Sequence, residues 1–216
     1  MHCIVSAGPT WEPIDGARRL TNFSTGSLGG RLANYLAGQG NRVTLLLGQM
    51  AVWQAPLAAV EVEYFTTTAS LSALLEARAT DAPVAVFHVA AVSDFCVAGA
   101  YVKTLDGNLE PVRSGKHSTR AGNLWLELQP TTKIINRLRD WFPAGILVGW
   151  KYEVDCGRPG ILAAGASQLM QTRVNHCVLN GPAYGPGFGL LTPNQPLEHL
   201  SPGQLPGRLA SLVSMP

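Results

Sequence analysis

Short apolar runs that recur along the chain, amphipathic segments between them and turn residues at their boundaries together predict an α/β fold. The expected architecture is a Rossmann-like, doubly wound, mostly parallel sheet with a flap insertion. The runs are Cys3 to Ala7, Val43 to Leu47, Val60 to Phe65, Val84 to Val92, Ile146 to Trp150 and His176 to Leu179. Continuous apolar runs of this length suit strands buried on both faces, the condition of a parallel sheet covered by helices.

The first helix is predicted by Leu28, Leu32, Tyr35 and Leu36, which fall at i, i+4, i+7 and i+8 and so form one stripe. Ser70 to Ala79 is a second helical segment. Ile134, Ile135, Leu138, Trp141 and Phe142 repeat the apolar stripe. Gly160 to Arg173 is a further helix, with Pro159 near its first turn, where a missing N–H costs nothing. Between Val92 and Leu124 the pattern lapses into a polar, glycine-containing segment, read as a flap over about 95–123. Leu124, Leu126 and Leu128 then alternate with Trp125 and Glu127, as in a half-exposed strand. With 216 residues, 46% of them hydrophobic, the whole of 1–216 is expected to form one domain around a sizeable core.

Composition narrows the function. Only 14% of residues are charged and the net charge is +2, with Lys and Arg scattered, so neither nucleic acid nor an anionic membrane surface is an expected partner. A small anionic ligand fits better. Cys3, Cys96, Cys156 and Cys177 are far apart and form no zinc or disulfide spacing, so they read as reduced, mostly buried thiols. MHCIVSAG reaches glycine and proline too soon for a signal peptide, and no apolar run approaches the roughly 20 residues of a membrane span. The cytoplasm is the expected location.

In open α/β sheets ligands bind at the carboxyl ends of strands, which directs attention to the loops after Ala7, Val92, Trp150 and Leu179. The first, AGPTWEPIDGARRLTNFSTGSLGG, contains neither GxGxxG nor GxxxxGK[ST]. Its helix is expected to begin at Ser24-Thr25-Gly26-Ser27, where free amides, hydroxyls and the helix dipole can receive a phosphate; an ordinary Ser/Thr cap reads the same residues equally well. In AAVSDF, Asp94 could hold a magnesium ion or a ribose hydroxyl, or could form an Asx turn or helix cap. In VGWKYEVD, Lys151 and Glu153 make either an exposed ion pair or part of a site. His88 and His176 lie in apolar runs and read as satisfied core histidines. In SGKHSTRAGN, Lys116 and Arg120 stand among glycines and hydroxyls; a flap lysine could close over a triphosphate, and an ordinary surface loop needs no such role.

Taken in order, AGPTWEPID, LTNFSTGSLGG, AAVSDF, the flap Lys before LELQP, VGWKYEVD and VLNGPAYGPGFG resemble the successive motifs of the phosphopantothenoylcysteine synthetase (phosphopantothenate–cysteine ligase) family, over nearly the whole chain. The resemblance implies a Rossmann-like homodimer that joins 4′-phosphopantothenate to cysteine in coenzyme A biosynthesis. It implies CTP or ATP as co-substrate, Mg²⁺, and an acyl-nucleotidylate intermediate. In bacteria the family is commonly fused to a flavin-dependent decarboxylase, so no flavin is expected in this chain and a separate decarboxylase protein is a compatible partner. Carried over residue by residue, Asn22 and Lys116 take catalytic roles, at the acyl intermediate and in nucleotidyl transfer. Gly8, Ser24, Thr25, Gly26, Ala91, Asp94, Trp150, Lys151, Asn180 and Phe188 take substrate or nucleotide, with Mg²⁺ held through phosphates and Asp94.

The sequence departs from the family at three places. Ser27 stands where Lys or Arg is usual, His117, Ser118 and Thr119 follow Lys116 where further lysines are usual, and Gln168 and Gln171 leave Arg173 as the cation of the last long helix. These departures keep open a non-catalytic nucleotide- or metabolite-binding homologue. An NAD(P)-dependent oxidoreductase would share the fold but lacks its fingerprint glycines.

Overall fold

The computed structural model describes residues 1–104, 106–112, 115–118 and 122–213. Arg120 and Thr119 lie outside the described residues, as does part of the expected flap.

The main sheet has eight strands among the described residues. Six are parallel: β1 (His2–Ala7), β4 (Arg42–Gly48), β5 (Val60–Phe65), β6 (Val84–His88), β10 (Ile146–Tyr152) and β11 (His176–Asn180). They are ordered β5-β4-β1-β6-β10-β11, so the chain starts in the middle, winds to one edge, and returns past β1 to wind to the other. That reversal puts a topological switch point between β1 and β6, where doubly wound sheets bind ligands. Two antiparallel strands, β12 (Phe188–Leu191) and β13 (Glu198–Leu200), extend the sheet beyond β11.

Alternate side chains of the central strands feed two cores on opposite faces. On one face Cys3, Val5, Leu45 and Phe87 pack with α1 (Ser27–Gly38), which contributes Leu32, Ala33 and Leu36, and with α5 (Leu205–Ser211). On the other, Ile4, Leu46, Val86 and Leu147 meet Leu71 and Leu75 of α2 (Thr68–Glu76) and Leu138 and Trp141 of α3 (Leu138–Trp141). α4 (Gly157–Thr172) covers β11 through Ile161, against Cys177 and Leu179. α2 is fixed at its start by Thr67, whose hydroxyl accepts the Ser70 amide at 3.1 Å.

Local differences from the sequence reading have local causes. The stripe at Ile134–Phe142 is buried as its periodicity requires, but it folds as a 3₁₀ turn, Ile134–Asn136, followed by the single-turn α3. Pro143 follows at once and forbids a longer helix. The run Val84 to Val92 leaves the sheet after His88, because Ala91 bridges instead to the loop after β1: Thr10 N–H donates to Ala91 O at 3.1 Å and Ala91 N–H to Gly8 O at 3.0 Å. A short hairpin, β2 (Trp11–Pro13) with β3 (Arg19–Thr21), occupies the long first loop. The expected burial of the cysteines holds for Cys3 and Cys177, which burial pushes up to about 11 and about 12; Cys156 is exposed at the start of α4, and Cys96 is half-buried.

Between β6 and β10 the chain builds a separate antiparallel sheet, β8 (Leu109–Pro111), β7 (Phe95–Lys103) and β9 (Leu124–Pro130), in the order β8-β7-β9. Leu124 and Leu126 turn inward and Trp125 and Glu127 outward, as the alternation requires, but Leu128 is exposed as well. No described helix is long and apolar enough to cross a membrane.

Candidate active site

A cleft of about 1350 Å³ runs along the carboxyl ends of β1, β6, β10 and β11, from the start of α1 to the middle of α4. It draws residues from all four of the loops that topology singles out.

At one end is the entry to α1. The helix begins at Ser27, the last residue of the expected stretch Ser24-Thr25-Gly26-Ser27, and its cap is Gly26 with φ +76°, a left-handed conformation that favours glycine. A Cβ there would also come within 2.9 Å of Ala51 Cβ. No side chain caps this helix, so the Ser/Thr cap is not formed. Thr25 and Ser27 instead bond each other: the Thr25 hydroxyl donates to Ser27 Oγ at 2.9 Å and accepts the Ser27 amide at 3.3 Å. The remaining first-turn amides keep their hydrogens for a ligand in the cleft. Asn22 is set by a 3.0 Å bond from its amide nitrogen to Val92 O, which leaves its second N–H and its oxygen to the cleft. Phe23, beside it, is fully exposed at the rim.

In the middle, Ser93 is buried and its amide donates to Thr10 Oγ1 at 2.7 Å, which ties the β6 loop to the β1 loop. Asp94 caps nothing: β7 starts at the next residue, and its carboxylate pairs with Lys133 Nζ. Both side chains are more than half exposed, so the pair is readily exchanged for other partners. Lys151 pairs with Glu153 at 3.1 Å, with both side chains about two-thirds buried, and Lys151 also lines the cleft. Among the described residues, Lys133 and Lys151 are the cations that line the cleft.

The structure thus brings Gly8, Asn22, Ser24, Thr25, Gly26, Ala91, Asp94, Trp150, Lys151 and Asn180 together. It does not bring Lys116 or Phe188 there. Phe188 lines a smaller groove with Tyr184 and His199 at the antiparallel edge of the sheet. The Lys116 segment is held against the β2–β3 turn: Gly16 N–H donates to Gly115 O at 2.8 Å, Arg18 donates to His117 O, and His117 N–H donates to Asp15 Oδ2 at 3.1 Å. The Ala17 and His117 amides hold the Asp15 carboxyl down at about 2.

Lys133, Gln168 and His88 are among the cleft residues that escaped the sequence reading of the site. Lys133 lies past the insertion in QPTTKII, where only the return of β9 to the strand ends reveals its position. Gln168 counted only as an absent lysine. His88 is buried, 7% exposed, and bonded through Nδ1 to Ser6 Oγ at 2.8 Å, as a core histidine should be; it also lines the cleft. Burial lowers it to about 4, so its ring is neutral near pH 7. His176 fits the core reading, with Nδ1 2.8 Å from Thr192 Oγ1.

A doubly wound sheet with an uncapped helix start and the Asn22 amide beside its switch point defines a Rossmann-like α/β protein with its cleft at the carboxyl ends of the strands. The chain belongs to the phosphopantothenoylcysteine synthetase family: residues 1–194 match the family model for the DNA/pantothenate metabolism flavoprotein C-terminal domain. It is similar to the coenzyme A biosynthesis bifunctional proteins CoaBC of Thermococcus kodakarensis, 33% identical over 82% of this chain, and of Bacillus subtilis, 30% identical over 88%. It spans 40% and 44% of the lengths of those two proteins. Its fold resembles that of the DNA/pantothenate metabolism flavoprotein from Streptococcus pneumoniae, with a TM-score of 0.84, 24% identity, and coverage of 99% of this chain and 98% of the other.

Proposed function

We propose that this chain is a single ligase domain that joins 4′-phosphopantothenate to cysteine through an acyl-nucleotidylate, with CTP or ATP as co-substrate. The observation that carries the reading is the shared cleft: it sets an uncapped α1 start, the Asn22 amide and two lysines around one space large enough for a nucleotide and a second metabolite. The membership of relatives named for coenzyme A biosynthesis in the same family supports it.

In this reading a carboxylate oxygen of phosphopantothenate attacks the α-phosphorus of the nucleotide, and the bond to pyrophosphate breaks. The amine of cysteine then attacks the activated carbonyl, forms the amide, loses a proton and expels the nucleoside monophosphate. The route replaces a carboxylate, a poor acyl donor, with a mixed anhydride. Asn22 donates its second N–H to the acyl oxygen, and the amides after Gly26 receive phosphate. Lys133 exchanges Asp94 for the triphosphate and supplies the cation that Ser27 lacks, with Lys151 beside it. Among the described residues no cluster of three acidic, His or Cys side chains stands ready for a metal. Asp94 would offer Mg²⁺ one carboxylate ligand, and the ion, bound with the nucleotide, would neutralise charge on its phosphates.

The insertion acts as the flap and Lys116 as its moving cation. Leu109 and Trp125 on one face of the insertion, and Phe95 and Leu128 on the other, are all exposed, and this apolar surface suits contact in a homodimer. The domain works in the cytoplasm alongside a decarboxylase.

The test is to incubate the protein with phosphopantothenate, cysteine and Mg²⁺ plus CTP or ATP, and to weigh the nucleotide product. Nucleoside monophosphate and pyrophosphate are expected, and only when phosphopantothenate is present. A diphosphate product would indicate an acyl phosphate instead, and absence of turnover with both nucleotides at high enzyme concentration would sink the reading. Lys133→Met is expected to weaken nucleotide use about tenfold or more, the worth of a charge-assisted hydrogen bond.

A further inference from the structure

We propose that His88 and Gln168, standing on either side of the bare backbone of Gly149, form a neutral donor and acceptor pair that reads the heterocyclic base of the nucleotide. The inference rests on the ligase reading only in requiring that a nucleotide occupy the cleft.

The sheet register builds this subsite. Ser6 of β1, His88 of β6, Gly149 of β10 and Cys177 of β11 are direct neighbours across four parallel strands, so their side-chain positions share one face. Gly149 leaves a gap in that row. A Cβ there would lie 2.7 Å from Gln168 Nε2 and 2.7 Å from Ile135 Cδ1, so the gap holds the Gln168 amide reaching in from α4. Gln168 Nε2 donates to Trp150 O at 3.4 Å and to Cys177 Sγ at 3.3 Å. The reversed amide would set its oxygen against the Trp150 carbonyl, so the nitrogen faces the backbone and Oε1 is left as a free acceptor lining the cleft.

His88 is oriented with the same economy. Ser6 is fully buried, and its hydroxyl oxygen accepts the Ala90 amide at 3.3 Å. The hydroxyl has one proton to give, and His88 Nδ1, 2.8 Å away, is the acceptor that takes it. The other ring nitrogen, Nε2, therefore carries the imidazole hydrogen. It has no protein partner, although the residue is more than nine-tenths buried and lines the cleft. This nitrogen is not among the buried polar atoms left without a partner, so it opens onto the cleft, where a ligand acceptor takes the place of water.

Ile134, Ile135 and Ala164 line the same cleft, with Ile135 Cδ1 beside Gly149. The surroundings contrast with the α1 end, where free amides and a helix dipole await an anion. A phosphate would meet a single neutral donor there, with a carbonyl oxygen beside it that repels the charge. A flat, uncharged ring whose edge offers one acceptor and one donor is complementary to both, and a nucleobase has such an edge. A neutral amide, such as that of phosphopantothenate, offers the same pair of groups, and the experiment separates the two.

Titration calorimetry on the full chain would compare CMP, AMP, inorganic triphosphate and phosphopantothenate, each alone, for the wild type and for His88→Leu and Gln168→Met. The expected result is a loss of about tenfold in nucleotide affinity in each variant and a changed CMP to AMP ratio, with inorganic triphosphate binding unchanged. Gln168→Met keeps the volume at a half-buried position, so it remains informative if His88→Leu folds poorly. Unchanged nucleotide affinity and ratio in Gln168→Met would overturn the inference while leaving the ligase reading intact. Weakened phosphopantothenate binding with normal nucleotide binding would transfer the pair to the amide and also overturn it. If the wild type binds neither nucleotide, the ligase reading falls and this inference with it.

Discussion

The six-stranded parallel sheet and the three-stranded insertion are both rich in apolar residues, yet they use them differently. In β6 every residue is buried, because helices cover both faces. In β7 no residue is fully buried, and Phe95, Trp125 and Leu128 of the insertion each expose more than two-fifths of their surface. The sheet satisfies itself; the insertion leaves apolar side chains uncovered on both of its faces. Stability should therefore reside in the first region and association in the second.

The largest effect that could break this division is in the sheet. Phe87→Ala empties a fully buried site on β6 and is expected to cost about 3–5 kcal/mol in denaturant unfolding. Trp125→Ala and Leu128→Ala should change monomer stability by less than about 1 kcal/mol but weaken self-association in sedimentation velocity. If the insertion mutants unfold the monomer as readily as Phe87→Ala does, the contrast is wrong.

Next in size is the pH dependence of the sheet. His88 falls from 6.5 to about 4 on folding because burial disfavours its charged form. The unfolded chain then binds a proton that the folded chain refuses, so stability is full above pH 6.5 and declines as pH falls toward 4. The expected loss is about 3 kcal/mol over that window. His88→Gln should flatten this part of the stability curve, read by urea titrations at several pH values.

A smaller, local effect belongs to the junction between hairpin and insertion. Asp15 accepts the amides of Ala17, Arg18 and His117. Asp15→Ala should speed hydrogen exchange at those amides while leaving exchange in β1 and β6 unchanged. Acid should do the same only far down: a carboxyl lowered from 3.8 to about 2 keeps its contribution above 3.8 and loses it as pH falls through 2. Smallest is the exposed pair Arg42 and Glu61 on β4 and β5, 3.8 Å apart, whose removal should stay within about 0.5 kcal/mol in the same assay.

Much of the fold was legible because burial on both faces writes itself into sequence as unbroken apolar runs, and α1 as a 3.6-residue stripe. The short elements were not. β12, β13 and the β2–β3 hairpin have three or four residues each, too few to show a period, and they exist because a neighbouring strand or turn offers hydrogen bonds. α3 kept its stripe but lost its length to Pro143. In the site, the α1 start, Asp94 and Lys151 could be singled out because strand ends are where such folds bind ligands, and Asn22 through the family motif it sits in. Lys133, His88 and Gln168 could not, since their nearness to the cleft depends on segments far apart in the chain.

By itself, then, the sequence determined the layered α/β architecture, the loops that hold the cleft and the family to which the chain belongs. These follow from local periodicity and from motifs whose residues are contiguous. Only the tertiary structure decided that Lys133 faces Asp94, that the Lys116 segment rests on the β2–β3 turn, and that a missing side chain at Gly149 admits Gln168 beside His88. Those outcomes depend on strand register and packing, which sum interactions over the whole chain and leave no mark in any one stretch of it.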